Sequence, residues 1–205
     1  MTKMLDTTIA GVVLAAGASS RMGTEKALLQ YAGQSFLTGA IQLLQTACDF
    51  VVVVTGNNTD LLRPIIEQNS ACSVRNWQPE HGQFSSLRVG LQAVLDLGCD
   101  AACVTLVDRP AARVSTLLDL KQRFLRTSPK DTWAVVPQYE GRRGHPVIFG
   151  RRMIKALLRA NPNSNARDVV SRHQNRIEYV AVDDAHVELN INTPEQYSTL
   201  TEPAS

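Results

Sequence analysis

Short, continuously apolar runs rich in β-branched residues alternate with amphipathic stretches along this chain, and that alternation constrains the fold more than any other feature. Residues 9–15, 50–55 and 101–107 read as strands, apolar throughout, as strands covered on both faces are. Residues 35–47, 59–68 and 84–97 carry helical patterns, with Ser35 and Thr59 as N-caps and Gly98 as a stop. Strand, helix, strand, helix predicts a parallel sheet with crossover helices. The second half is less regular. Strands are expected at 133–137, 177–182 and 187–191, with a further extended piece at 145–149 after a Gly- and Arg-rich turn at 141–144. Helices are expected at 151–160 and 166–173, and a last one opens at Pro194, with Thr193 as its cap. No linker interrupts the 205 residues, which predicts one α/β domain over the whole chain.

Composition removes several classes of function. Hydrophobic residues make up 44% and charged residues 20%, which excludes wholesale disorder. The longest apolar stretches fall far short of the ~20 residues a membrane span needs. The amino terminus lacks a basic start and cleavage pattern, so a cytoplasmic protein without a membrane partner is expected. Lys and Arg total 21 against 19 Asp and Glu, a balance that implies no nucleic-acid partner. Charge is nevertheless uneven: residues 141–176 hold nine basic side chains against one acid, Asp168. Such a segment fits either an anionic ligand or a solvated face. Cys48, Cys72, Cys99 and Cys103 form no C-x-x-C pair and read as small buried thiols.

The first strand runs into LAAGASSRMGTEKALL, where Gly17 and Gly23 bracket a loop of small residues. Ligands of parallel α/β sheets bind beyond the carboxyl ends of the strands, where this loop lies. Small side chains let backbone N–H groups approach a polyphosphate, and Arg21 and Lys26 supply full positive charge. The spacing is not that of a Walker A loop, and G-x-G-x-x-G is absent. The loop is therefore a phosphate cradle of another kind, or a structural turn with surface charges.

The run from Leu14 to Lys26 resembles the L-A-A-G-x-S-x-R-M-G-x-x-K loop of the molybdenum-cofactor nucleotidyltransferases, MobA-like NTP transferases within the sugar-nucleotide pyrophosphorylase-like superfamily. Four further stretches resemble that family's segments in order: NWQPEHGQFSSLRVGL, LVDRP, PQYEGRRGHPVIF and NINTPEQ. The resemblance implies a single-domain, Rossmann-like three-layer sandwich with a mostly parallel sheet. It implies transfer of CMP from CTP to the phosphate of a molybdopterin-type acceptor, with release of pyrophosphate and dependence on Mg²⁺. A molybdoenzyme or its maturation chaperone is a further implied partner. Carried over residue by residue, Arg21, Lys26 and Asp108 are the implied catalytic side chains, with Asp108 on the metal. Leu14, Ala15, Ala16, Gly17, Gly23, Gly82, Ser85 and Ser86 would bind the nucleotide. His145, Arg167, Asn190 and Asn192 would meet the acceptor. General chemistry offers plainer roles beside these: Asp108 as a turn residue before Arg109-Pro110, Ser85 or Ser86 as a helix cap, and His145 as a structural imidazole.

The chain also departs from the family pattern. PNSNAR at 162–167 stands where many cytidylyl members carry G-D-x-G-A-R, and NINTPEQ stands for D-I-D-T-P-E-D. Asn163, Asn190, Asn192 and Gln196 thus replace carboxylates with neutral side chains. An amide oxygen still ligates a hard cation but adds no charge. The L-A-A-G loop and Gly144-His145-Pro146-Val147 are typical of the cytidylyl branch, whereas N-x-N-T-P resembles the guanylyl branch. A guanylyltransferase, a sugar- or polyol-phosphate nucleotidyltransferase and a non-catalytic nucleotide- or cofactor-binding accessory protein are the competing expectations.

Overall fold

The computed structural model describes residues 7–17 and 22–200. Its frame follows from the apolar runs, whose burial stabilises strands that face helices on both sides. In chain order, β1 (Ile9–Leu14) is followed by a small hairpin, β2 (Gln30–Tyr31) and β3 (Gln34–Ser35), then α1 (Phe36–Gln45), β4 (Phe50–Thr55), α2 (Thr59–Gln68), β5 (Cys72–Arg75), α3 (Gln83–Asp96) and β6 (Ala101–Leu106). The second half runs α4 (Val114–Thr127), β7 (Ala134–Tyr139), β8 (Arg142–Arg143), β9 (Val147–Gly150), α5 (Arg151–Arg159), α6 (Ala166–Ser171), β10 (Ile177–Ala181) and α7 (Pro194–Ser198).

The main sheet has the order β10-β7-β9-β6-β1-β4-β5, with β8 paired to β7. β1, β4, β5 and β6 are parallel, and β9 runs antiparallel between β6 and β7. Alternate side chains of β1 enter opposite cores. Ile9 and Val13 pack with α1, α2 and α4, while Ala10, Val12 and Leu14 pack with α3, α5 and α6. The result is the expected three-layer α/β sandwich. Gly90 lets α3 lie against the sheet, because a Cβ there would stand 2.7 Å from Val12 Cγ1 and 2.8 Å from Val54 Cγ2.

Several local expectations need correction. Ser35 caps α1, accepting from the Thr38 N–H, but α2 is preceded by Asn58 as N-cap, with Thr59 its first residue. Neither Ser85 nor Ser86 is a cap: α3 begins at Gln83 after Gly82. No strand forms at 187–191. A 3-10 turn covers Ala185–Val187, and side chains and loop backbone take the polar groups that a ladder would need. The Asp184 carboxylate accepts from the Arg113 and His186 N–H groups, and the Val187 carbonyl accepts from the His145 N–H. Cys72 is exposed rather than buried, because β5 is an edge strand. The carboxy-terminal expectation holds: Thr193 caps α7 and Gln196 closes a capping box.

Candidate active site

Three parallel strands end side by side at one edge of the sheet. Leu14 of β1 pairs with Val54 of β4 and Leu106 of β6, so the segments after residues 14, 55 and 106 emerge together. The connections leave β1 toward β4 on one side and reach β6 on the other, which makes this edge a topological switch point. A cleft of about 400 Å³ opens there, walled by Leu14, Ala16 and Gly17, by Pro79 and Gly82, and by Leu106 and Asp108.

Polar contacts set the shape of this cleft. Asn58 binds the start of the loop after β1, donating to the Ala15 carbonyl at 2.8 Å and to Glu25 at 3.1 Å. Buried Asn76 fixes the first turn of α3, donating to Ser85 Oγ at 2.8 Å and Ser86 Oγ at 3.0 Å. Lys26 Nζ donates to Asn192 Oδ1 at 2.7 Å, joining two segments 166 positions apart. Asp108 follows β6; its Oδ1 accepts from Arg109 Nε at 3.3 Å, and its carbonyl accepts from the Ile191 N–H at 2.8 Å.

A second cleft of about 540 Å³ shares Leu14, Gln83 and Leu106 with the first. Its floor is apolar, with Phe84, Leu87, Val136, Val147 and Phe149, and its rim carries Arg143, His145, Arg167 and Tyr179. Arg143 lies over the Tyr179 ring, 4.6 Å from its centroid. Burial, and secondly the nearby Arg109 guanidinium, hold the His145 imidazole down to about 3, so it is neutral at physiological pH. Of the nine basic side chains at 141–176, Arg142, Arg151, Arg152 and Arg176 pair with acids. Only Arg143 and Arg167 of the nine line this cleft.

The predicted site residues therefore divide. Lys26, Asp108, Leu14, Ala16, Gly17, Gly82 and Ser86 line the first cleft, and His145 and Arg167 line the second. Asn192, expected beside the acceptor, stands in the first cleft next to Lys26. Ala15, Gly23, Ser85 and Asn190 line neither. Arg21 lies outside the described residues. Sequence reasoning passed over Glu25, Asn58, Asn76, Pro79, Gln83 and Tyr179, and had Arg143 only as one of the nine basic residues of 141–176. Asn58 carried a readable signal, being an amide just beyond the apolar, β-branched run at 50–55.

Residues 11–177 match the MobA-like NTP transferase domain. The chain belongs to that family. As a MobA-like NTP transferase it is a nucleotidyltransferase. It is similar to the molybdenum cofactor cytidylyltransferase of Escherichia coli K12, at 24% identity over 93% of this chain and 94% of that protein. It is also similar to a probable molybdenum cofactor guanylyltransferase of Rhodopirellula baltica, at 35% identity over 58% of this chain and 56% of that one. Among solved structures, Rv0371c of Mycobacterium tuberculosis superposes with a TM-score of 0.78 at 29% identity, covering 94% of this chain and 96% of that one. A manganese complex of Rv0371c superposes with a TM-score of 0.72 at 27% identity, over 94% and 97% of the two chains.

Proposed function

We propose that this protein transfers CMP from CTP to the phosphate of a molybdopterin-type acceptor. An acceptor phosphate oxygen attacks the α-phosphorus, the α–β phosphoanhydride bond breaks, and pyrophosphate leaves with the bond's electron pair. The observation that carries this reading is the continuity of the two clefts, one polar and one apolar, through Leu14, Gln83 and Leu106. The polar cleft suits a triphosphate, with the Gly17 loop and Lys26 on its wall. The apolar cleft suits a flat ring system, with Arg143 and Arg167 on its rim for an anionic group. His145 is neutral and serves binding rather than proton transfer, since a phosphate nucleophile is already ionised at neutral pH.

Asp108 offers a carboxylate oxygen to the polar cleft, and Asn192 an amide oxygen that also accepts from Lys26; hard donors of this kind fit a divalent cation. They would hold Mg²⁺, with Asp108 as the charged ligand; the manganese complex of the mycobacterial relative supports a divalent ion. When bound, the ion would neutralise charge on the phosphates. Lys26 and Arg21 would clamp the leaving pyrophosphate, while the small loop residues exclude bulk near the α-phosphate.

GTP is the second reading, favoured by the similarity to the probable guanylyltransferase of Rhodopirellula baltica and by Asn190-Ile191-Asn192-Thr193-Pro194. Pyrophosphate release from each of the four NTPs, with and without molybdopterin and with Mg²⁺ or Mn²⁺, separates the readings. Release with CTP only when molybdopterin is present supports the proposal. GTP preference moves the assignment to the guanylyl branch, and nucleotide binding without release marks an accessory protein.

A further inference from the structure

Among the described residues, the buried polar set holds one cation, Arg109, only 7% exposed. Desolvating a guanidinium is costly unless its N–H groups find partners, so a buried arginine is tied to the groups it meets. Here one of those groups lines the nucleotide cleft, and the other holds the backbone of a residue that lines the second. Arg109 Nε donates to Asp108 Oδ1 at 3.3 Å, and Nη1 donates to the Val187 carbonyl at 3.1 Å. The same carbonyl accepts from the His145 N–H at 2.8 Å. Gly144 packs so closely there that a Cβ would stand 2.1 Å from the Val187 oxygen. At the other end of this segment the Ile191 N–H donates to the Asp108 carbonyl at 2.8 Å, and the next residue, Asn192, accepts from Lys26. The segment 187–191 is thus clipped at both ends to residues 108–109. The L-x-D-x-P pattern leaves the position of Arg109 unspecified, so the family resemblance assigns it no role.

We propose that Arg109 is a positioning residue that sets Asp108 in the nucleotide cleft and, through the Val187 carbonyl, the His145 edge of the acceptor cleft. The role rests on the transferase reading above. A planar guanidinium suits it because its N–H groups diverge in one plane and reach two oxygens at once, whereas an ammonium is a point charge on a flexible stem. The consequence is coupling: one side chain links the orientation of the metal-side carboxylate to the wall of the acceptor cleft.

The test is Arg109→Met and Arg109→Lys in the full chain, with two readouts. In the first, Mn²⁺ is titrated by electron paramagnetic resonance in the presence of CTP and without acceptor, and CTP affinity is measured without metal. Arg109→Met should raise the half-saturating Mn²⁺ concentration about tenfold, the usual scale for losing a side chain that orients a metal ligand, and leave metal-free CTP affinity within twofold. In the second, kcat should fall about 10- to 100-fold and KM for molybdopterin should rise, with Arg109→Lys between Met and wild type. A merely structural arginine would lower thermal stability but leave Mn²⁺ half-saturation and acceptor KM of the folded protein unchanged. Unchanged values in Arg109→Met overturn the proposal. Where Arg109→Met does not fold, wild-type parity of Arg109→Lys overturns it and a loss of Mn²⁺ affinity supports it. Absence of turnover of CTP and molybdopterin by wild type would overturn the CTP-transferase reading, while a tenfold Mn²⁺ shift in Arg109→Met would still support the positioning role.

Discussion

The two clefts meet along Leu14, Gln83 and Leu106, yet they are built differently. The first cleft is assembled from the ends of parallel strands, where backbone groups and short polar side chains converge because β1, β4 and β6 share a register. The neighbouring cleft is assembled from the faces of β7, β9, α3 and α6, with apolar side chains as floor and a rim of cations around a neutral imidazole. The strand ends make a site whose position is set by topology. The sheet face makes one whose shape is set by individual side chains, so its specificity changes with few substitutions. Substitutions should therefore act on chemistry in the first cleft and on acceptor choice in the second.

The largest effect is expected at Asp108. Asp108→Ala should lower kcat by about 10³-fold, the scale on which charge-stabilising groups act, and lower the thermal midpoint as well, because it strips the buried Arg109 Nε of its carboxylate partner. Asp108→Asn should fail as well, since it keeps shape and loses charge. Near-native metal-dependent turnover in either variant would remove the distinction between a chemical and a recognition cleft.

The phosphate clamps come next. Lys26→Ala should raise KM for the nucleotide about 10- to 100-fold, the worth of one charge-assisted hydrogen bond, with little change in acceptor KM. Arg21→Lys should behave more like Arg21→Ala than like wild type, since bidentate phosphate contact needs the planar fork. Steady-state kinetics with each substrate varied in turn reads both; an Arg21→Ala enzyme with unchanged nucleotide KM places that side chain outside the cleft.

This contrast also explains what the sequence makes legible. Strands β1, β4 and β6 are readable because burial on both faces demands unbroken apolar runs, and Asp108 falls just beyond β6. Helix α4 is hidden because Arg113 at its N-cap makes no side-chain cap bond, and β5 because an exposed edge strand needs no apolar run. Arg143 and Tyr179 are unreadable as neighbours, since the parallel pairing of β10 with β7 and the turn at β8 bring them together from 36 positions apart. The strand expected at 187–191 fails for a related reason: what holds that segment is Asp184, Arg109 and His145, none of which marks a period along the chain.

A smaller effect concerns the base. Ala16 is 7% exposed, lines the first cleft, and its Cβ faces Gly56. One methyl discriminates by roughly 10- to 200-fold, so CTP should be preferred over GTP within that range. Ala16→Gly should narrow the ratio of kcat/KM for the two nucleotides without abolishing CTP use. A wild-type preference for GTP, or a ratio unmoved by the substitution, would sink the pocket argument.

At neutral pH the least effect belongs to His145, and it emerges only on acidification. The folded protein holds this imidazole down to about 3 through burial and the Arg109 charge, whereas in the unfolded chain it titrates near its ordinary value of 6.5. Above that value neither state binds the proton, and His145 adds no pH dependence. Below it the unfolded chain takes up a proton that the folded one refuses, so stability falls as pH drops from about 6.5 toward 3. A single proton sets a ceiling of about 1.4 kcal/mol per pH unit on the slope. His145→Asn removes the titrating group, and the difference between the two proteins cancels the contribution of the other carboxylates and histidines. Urea midpoints at a series of pH values from neutral to acidic should therefore run parallel above the imidazole's ordinary range. Below it they should diverge, with wild type losing stability faster. Parallel curves throughout would mean that the imidazole accepts its proton in place, and the rim of the acceptor cleft would then carry a third positive charge at acid pH beside Arg143 and Arg167.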